Sequence, residues 1–163
     1  MPDSDRNNLL MNFGTALPPL QRAYRAAADR AVAHFGLSQA LAWPLVMLGR
    51  LAGPIRQGML AEVLAIEAPS LVRSLDQLVE AGLAERRDDP LDGRARTLHL
   101  TAAGRAVCDQ IEAALQELRN ELFAGISDAD LAASLRVFGQ LGRRLGMSVP
   151  QVPVRAAKVR SQS

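Results

Sequence analysis

The sequence predicts a mostly α-helical fold with one small β-hairpin, and three observations carry that expectation. Alanine and leucine dominate a chain that is 48% hydrophobic but 4% aromatic, a balance that suits helices packed on helices. The stretch EAPSLVRSLDQLVEAGL, Glu67 to Leu83, has two distinct faces at helical spacing. Directly after it, the turn-rich segment DDPLDGRA is followed by RTLHL, which alternates with the period of a strand.

Taken in order, residues 1–16 read as a polar arm in which Leu9, Leu10 and Phe13 make at most a short helical turn. Pro18 and Pro19 fit the first turn of a helix, or kink a longer one. From Leu20 to Phe35 the pattern is helical, with Arg22, Arg25, Asp29 and Arg30 on a charged side. Gly36 ends that helix, and Ser38 can cap the next. This second helix runs to about Leu51, with Trp43, Val46, Met47, Arg50 and Leu51 at helical spacing and Pro44 at an irregular or delayed start. AGPIRQG reads as a loop, and Met59 to Ile66 as a short helix with Met59, Leu60, Val63 and Leu64 on one face.

A tight turn at Glu67-Ala68 then leads into the Glu67–Leu83 helix, and two short helices so joined form a helix-turn-helix. Leu71, Leu75, Leu78 and Val79 make its apolar stripe. Ser70, Arg73, Ser74 and Gln77 make the other face, with a guanidinium, two hydroxyls and an amide and no large apolar group. Pro69 suits the first turn, and Gly82 the left-handed position after the last. Such a face can meet base edges in a major groove; an ordinary helix with a solvated polar side has the same pattern. LAERR and RTLHL form the arms of a hairpin, with Arg94 at its tip and Arg96 just beyond. Helix-turn-helix plus hairpin is a winged helix-turn-helix lobe. Thr101 caps a long helix from about Ala102 to Phe123, with Val107, Ile111, Leu115, Leu118 and Leu122 on one face. After Gly125, Ser127 caps a last helix whose apolar face is Leu131, Leu135, Phe138, Leu141 and Leu145. The segment from Met147 holds Arg155, Lys158 and Arg160 without an acid and reads as a disordered basic tail.

Several function classes are disfavoured. The single cysteine, Cys108, excludes an intramolecular disulfide and any multi-cysteine metal site, and His34 and His99 stand in no ligand spacing. No glycine-rich phosphate loop or nucleophile–base arrangement marks an enzyme, so no catalytic residue, metal or cofactor is expected. No apolar run is long enough to span a bilayer, and the polar start MPDSDRNN is no signal peptide, so the expected location is the cytoplasm. Net charge is only +2, so any argument for nucleic acid rests on where the charges lie. Almost every cation is arginine, which suits bidentate contacts to phosphate and guanine and equally reflects a GC-rich genome.

The order of elements, with IEAPSLVRSLDQLVEAGLAERR at 66–87, DPLDGRARTLHLTAAGR at 89–105 and GISDADL at 125–131, resembles the MarR family of bacterial transcription regulators, and most of all its SlyA-type branch. The likeness spans roughly Leu17 to Leu145. It implies a homodimer on double-stranded DNA at a pseudo-palindromic operator. Residues 1–35 would hold the N-terminal arm and first dimerisation helix, 36–101 the DNA-binding lobe, 102–146 the C-terminal dimerisation helices and 147–163 the tail. The family pattern carries onto Pro69, Ser70 and Arg73 as major-groove contacts, onto Arg94 as the wing-tip arginine in the minor groove, and onto Asp92 as the acid that holds that arginine. Ser74, Gln77 and Arg96 join the expected DNA-contacting set. Redox-sensing members carry a cysteine near the start of the first helix; this chain has none there, and Cys108 reads as a packing residue.

Family effectors often bind between dimer domain and lobe. Arg22 and Arg25 can pair with a carboxylate, Tyr24 and Trp43 can stack on a ring, and Met47 can line the floor, which points to a small aromatic acid. The alternative is that Trp43 and Met47 are core and the arginines pair at the subunit interface. His34 reads as a structural residue at a helix end, or as a sensor of ligand or pH. The leading expectation is a repressor released by an aromatic acid. Its rivals are an activator or antisilencer without a dedicated ligand, and a winged helix used for protein interaction.

Overall fold

A computed structural model describes residues 3–51, 54–64, 66–89 and 91–147. Six α-helices and a small antiparallel sheet of three strands make up the described chain, the mostly helical fold with a hairpin that the sequence predicts. The basic tail and Pro90 lie outside the described residues.

The first helix corrects the sequence reading. Helix α1 runs unbroken over Asp3–Val32, through Pro18 and Pro19. Local rules put a break there because each proline lacks a donor. The residues before the prolines are a helical extension rather than an arm; its Phe13 ring lies 6.1 Å from that of Phe138 on the last helix, while residues 4–26 are all exposed. A 3-10 turn, Ala33–Phe35, follows and ends at Gly36, whose φ of 71° is the left-handed conformation expected of it.

Helix α2, Gln39–Arg50, is the centre of the core. Ala42, Pro44, Leu45, Val46, Met47 and Leu48 are all buried, and Pro44 sits within the helix rather than at its start. Ser38 occupies the N-cap position with extended backbone, but its side chain makes no capping bond. The segment read as a loop contains a short strand, β1, Ile55–Arg56, whose Ile55 is buried. Helix α3 spans Gln57–Leu64 and helix α4 Ala68–Glu80. On α4, Leu71, Leu75 and Leu78 have no exposed surface. The helix ends as its sequence requires. Gly82 has φ of 69°, its N–H donates to Val79 O, and the Leu83 N–H donates to Leu78 O at 2.9 Å, the bond pair of a Schellman end.

Strands β2, Ala84–Asp89, and β3, Asp92–Leu100, form the hairpin, and β3 lies between β1 and β2. β3 is paired along both edges, and Thr97 and Leu98, which alternate to opposite faces, are both buried; the Thr97 hydroxyl lies 2.9 Å from His99 Nε2. Helix α5, Ala102–Leu122, is anchored at its start by Thr101, which accepts from the Gly104 N–H at 3.0 Å and donates to Gly82 O at 2.6 Å. Gly104 is required there, since a Cβ would stand 1.8 Å from Leu83 O. Helix α6, Asp128–Arg144, is capped by Ser127, which accepts from the Asp130 N–H.

One apolar cluster joins these parts. It holds the buried residues of α2, α3, α4 and the sheet together with Ala28 and Val32 of α1 and Cys108, Ile111 and Leu115 of α5. Arg50 on α2 forms a two-pronged pair with Glu112 on α5, with Nη2 to Oε2 at 2.9 Å. That bond outweighs desolvation and holds the guanidinium charge above its ordinary affinity for a proton. Burial pushes the Cys108 thiol up to about 11, so it stays protonated at neutral pH and packs as a small apolar group. Away from this cluster, α1 and α6 carry apolar residues that nothing covers, among them Leu9, Leu10, Leu20, Leu135 and Leu145.

Candidate nucleic-acid interface and adjoining cavity

Helix α4 turns its leucines into the core, and that orientation fixes what it offers outward. Pro69, Ser70, Arg73 and Gln77 are exposed, with Asp76 between them. Ser74 departs from the expected set. It is 8% exposed and its hydroxyl donates back to Ser70 O at 3.3 Å. Positions 71, 74, 75 and 78 form one stripe at helical spacing, so Ser74 goes inward with the leucines and is not free to meet a base edge.

The hairpin presents Arg94 and Arg96, both exposed. Arg96 lies opposite Asp88 across the two strands, 3.7 Å from its carboxylate. Asp92 holds Arg94, though through a different atom from the one the family pattern suggests. Its Oδ1 accepts the backbone N–H of Arg94 at 3.2 Å, so it fixes the turn and leaves the guanidinium free. The second oxygen of Asp92 faces Arg56 Nη2 at 3.6 Å.

Two supporting contacts escaped the sequence. Asp89 is buried, accepts the Leu91 N–H at 2.8 Å and takes the Nε and Nη2 of Arg56 at 2.8 and 2.7 Å. The Leu91 N–H first, and then the Arg56 guanidinium, hold its carboxyl below the ordinary value. Arg86 of β2 bonds Asp76 of α4 at 2.6 Å and so ties hairpin to helix. Neither pairing has a local signature, because each joins residues that only the folded sheet brings together.

Counting cations then separates two arginines from the rest. Seven arginines lie between residues 50 and 96. Arg50, Arg56, Arg86, Arg87 and Arg96 each have a carboxylate at ion-pairing distance. Arg73 and Arg94 have none among the described residues. An unpaired, exposed guanidinium on the outward face of α4 and another beside the hairpin turn are free to take phosphate or guanine.

A cavity of about 1090 Å³ opens beside α4, between α1, α2 and the turn after α5. Of the five residues that the sequence reading assigned to an effector site, Tyr24, Arg25 and Trp43 line it. Arg22 and Met47 do not. Arg22 is exposed and lies outside the lining, and Met47, 7% exposed, is part of the core. Arg30, Phe123 and Phe138 join the lining, with the Phe123 ring 6.5 Å from Tyr24. Ser70 and Ser74 of α4 reach its wall, so the helix that carries Arg73 also borders the cavity. His34 stacks at 3.9 Å on Phe35 at the end of the 3-10 turn and lies outside the lining. Among the described residues, no group of three or more His, Cys, Asp and Glu side chains is placed to hold a metal, and no single helix is long and apolar enough to cross a membrane.

Residues 35–95 match the model of the MarR family. The fold is similar to that of the transcriptional regulator PA3341, with 35% identity, 82% of this chain and 98% of that chain covered, and a TM-score of 0.78. It is similar also to the MarR family transcription regulator SP03579, at 26% identity over 88% of this chain and 94% of that one, with a TM-score of 0.76. A cysteine-to-serine mutant of MarR from E. coli, solved in complex with operator DNA, shares the fold at 24% identity, 82% and 96% coverage and a TM-score of 0.68.

Proposed function

This chain belongs to the MarR family of DNA-binding transcription regulators, and on that premise we propose that it is a homodimeric repressor of the SlyA-type branch, released from a pseudo-palindromic operator by an aromatic acid. The observation that carries the DNA-binding surface is the pairing pattern of the arginines: among the described residues Arg73 on α4 and Arg94 on the hairpin have no carboxylate partner, and five others in the same stretch have one. In this reading α4 enters the major groove with Pro69, Ser70, Arg73 and Gln77, and the hairpin reaches the adjoining minor groove with Arg94 while Arg96 lies along the backbone.

Residues 36–101 act as the lobe, and α1, α5 and α6 as the dimer helices. The uncovered leucines of α1 and α6 support this division, because two copies that pair those faces remove them from water. The protein works in the cytoplasm, where its DNA is. The cavity is the effector site: its lining is mostly apolar, Arg25 and Arg30 supply positive charge, and its wall includes α4. A ligand there biases the spacing of the two recognition helices, which must sit about 34 Å apart on one face of DNA.

The test is footprinting on the DNA upstream of the protein's own gene, with wild type, Arg73→Ala and Arg94→Ala, each with and without a panel of aromatic acids. A paired footprint lost in both variants is the expected result. Protection by wild type that survives both substitutions would remove the assigned surface. Absence of any footprint would favour an interaction module, and a footprint indifferent to every acid would favour an activator or antisilencer without a ligand.

A further inference from the structure

We propose that Arg56, on the two-residue strand β1, is a positioning residue for DNA binding: it clamps the carboxylates of Asp89 and Asp92 and thereby sets the hairpin tip that presents Arg94. The inference rests on the reading of the hairpin as a DNA-contacting element. Its basis is a connected chain of bonds. Arg56 Nε and Nη2 both reach Asp89 Oδ2, at 2.8 and 2.7 Å, and Nη2 lies 3.6 Å from Asp92 Oδ2. The second oxygen of each acid is spent on the turn itself. Asp89 Oδ1 accepts the Leu91 N–H at 2.8 Å, and Asp92 Oδ1 accepts the Arg94 N–H at 3.2 Å. The Arg56 guanidinium on β1 therefore binds one carboxylate and pairs electrostatically with the second, and the two acids hold the backbone of Leu91 and Arg94.

The surroundings explain why a clamp is needed here. The register of β2 against β3 shifts between Asp88 and Asp89, so regular ladder bonds stop short of the tip. Leu91 is 91% exposed, and no apolar packing holds it. Among the described residues, the contacts that hold the tip are the polar bonds of Asp89 and Asp92. Asp89 is nearly enclosed and needs a cationic partner; Arg56 gives it two donors, Nε and Nη2, and the same Nη2 faces Asp92. Arg56 is held from its own side as well, since its strand pairs with β3 at Thr97.

A direct contact from Arg56 to phosphate is the rival role, and charge distinguishes the two. Asp89→Asn removes a negative charge from the hairpin. If charge alone matters, operator affinity rises; if the clamp matters, affinity falls by about tenfold or more, as does that of Arg56→Ala. In an Arg94→Ala background, Arg56→Ala should then cost nothing further, because the residue it positions is gone. A general loss of folding would instead add to the Arg94 effect, and thermal unfolding and sedimentation of each variant register it directly. Amide exchange read by NMR adds a measurement without DNA, in which the Leu91 and Arg94 amides exchange faster in Arg56→Ala while those of α4 do not. Affinity that is unchanged in Arg56→Ala, raised in Asp89→Asn, or additive with Arg94→Ala would overturn the proposal, as would unchanged exchange at both amides. Failure of wild type to bind any operator would overturn the DNA-binding reading as well, whereas wild-type binding with unaffected variants overturns the clamp alone.

Discussion

Gly49 on α2 and Cys108 on α5 meet without space between them: a Cβ on Gly49 would stand 2.4 Å from Cys108 Sγ. The contact joins the central helix of the lobe to the first of the two C-terminal helices, one turn away from the Arg50–Glu112 pair. Gly49→Ala should therefore destabilise the protein by about 1–2 kcal/mol, since overpacking outweighs the gain in helix propensity. Adding Cys108→Ala should recover most of the loss, because the new methyl then fills the space that sulfur leaves. Urea denaturation of the two single variants and the double variant measures the coupling; additive losses would mean that the helices separate without strain.

How much of this molecule was legible in its sequence depends on whether a feature is local. The α4 helix was legible because Leu71, Leu75 and Leu78 recur at helical spacing and all three are buried. The hairpin was legible from Asp92-Gly93 and the alternation after it. Strand β1 was not, since two residues carry no periodicity and Arg56 belongs to the sheet only through β3. The run of α1 through Pro18 and Pro19 was one of two readings, a new start or a longer helix, and local chemistry could not choose between them because each proline removes a donor without fixing what precedes it. Ser74 is different: its place in the stripe with Leu71, Leu75 and Leu78 was readable, and its polarity concealed it. Arg22 and Arg25 could not be told apart before the facing of α1 was known.

Arg94 and Arg73 should fail in distinguishable ways. Arg94→Ala weakens binding to all operator variants and lowers the salt dependence by about one counterion, because a minor-groove arginine acts largely through potential. Arg73→Ala costs roughly 1–3 kcal/mol of discrimination at one base position in each half-site, provided it reads a guanine. Both substitutions should leave folding and dimerisation intact, since both side chains are exposed and neither has an ion-pair partner among the described residues. Affinities for a set of single-base operator variants at two salt concentrations check this. A uniform loss for Arg73→Ala would make it a phosphate contact.

On the proposed division, a dimer surface on α1 and α6 should be breakable without touching the DNA-binding lobe. Leu135 on α6 is 65% exposed and belongs to the uncovered apolar face. Leu135→Lys should give a monomer in sedimentation analysis, with operator affinity lost and the helical circular dichroism of the lobe largely kept. Truncation before residue 148 should leave the dimer, because the apolar pattern of α6 ends at Leu145. A dimeric Leu135→Lys, or a monomeric truncation, would move the interface elsewhere.

Acid should loosen the hairpin before it unfolds the core. The folded Asp89 carboxyl lies below its ordinary value of 3.8, so its stabilising bonds are complete above the ordinary carboxylate range. They fade as pH falls from there through the lowered folded value. Exchange of the Leu91 amide, corrected for its intrinsic pH dependence, should show constant protection from neutral pH to about pH 5 and declining protection below pH 4. In Asp89→Asn that protection should no longer follow pH. Protection that falls between pH 7 and 5 in wild type would implicate another group.

The cavity beside α4 should bind an anionic aromatic compound, and binding should oppose DNA. A carboxylate in a partly dry site needs a cation, and Arg25 and Arg30 are the arginines of α1 that line the space. Tyr24, Trp43 and Phe123 offer aromatic faces for a ring. At about 1090 Å³ the cavity reaches the upper end of the range of about 300–1,000 Å³ for drug-sized ligands, so acids with apolar bulk beyond a single ring should bind more tightly than benzoate. Because Ser70 and Ser74 border the same space, a ligand that presses on α4 alters the face that carries Arg73. Linkage then requires it to bind free dimer better than operator-bound dimer by the factor by which it weakens DNA binding. Calorimetric titration with a graded series of aromatic acids, with and without operator, reads both quantities. Arg25→Ala should weaken binding, and Arg22→Ala, which lies outside the cavity, should serve as the matched loss of charge without effect. Equal weakening by the two variants would mean that overall charge draws the acid, and affinities indifferent to operator would mean that the cavity does not signal to α4.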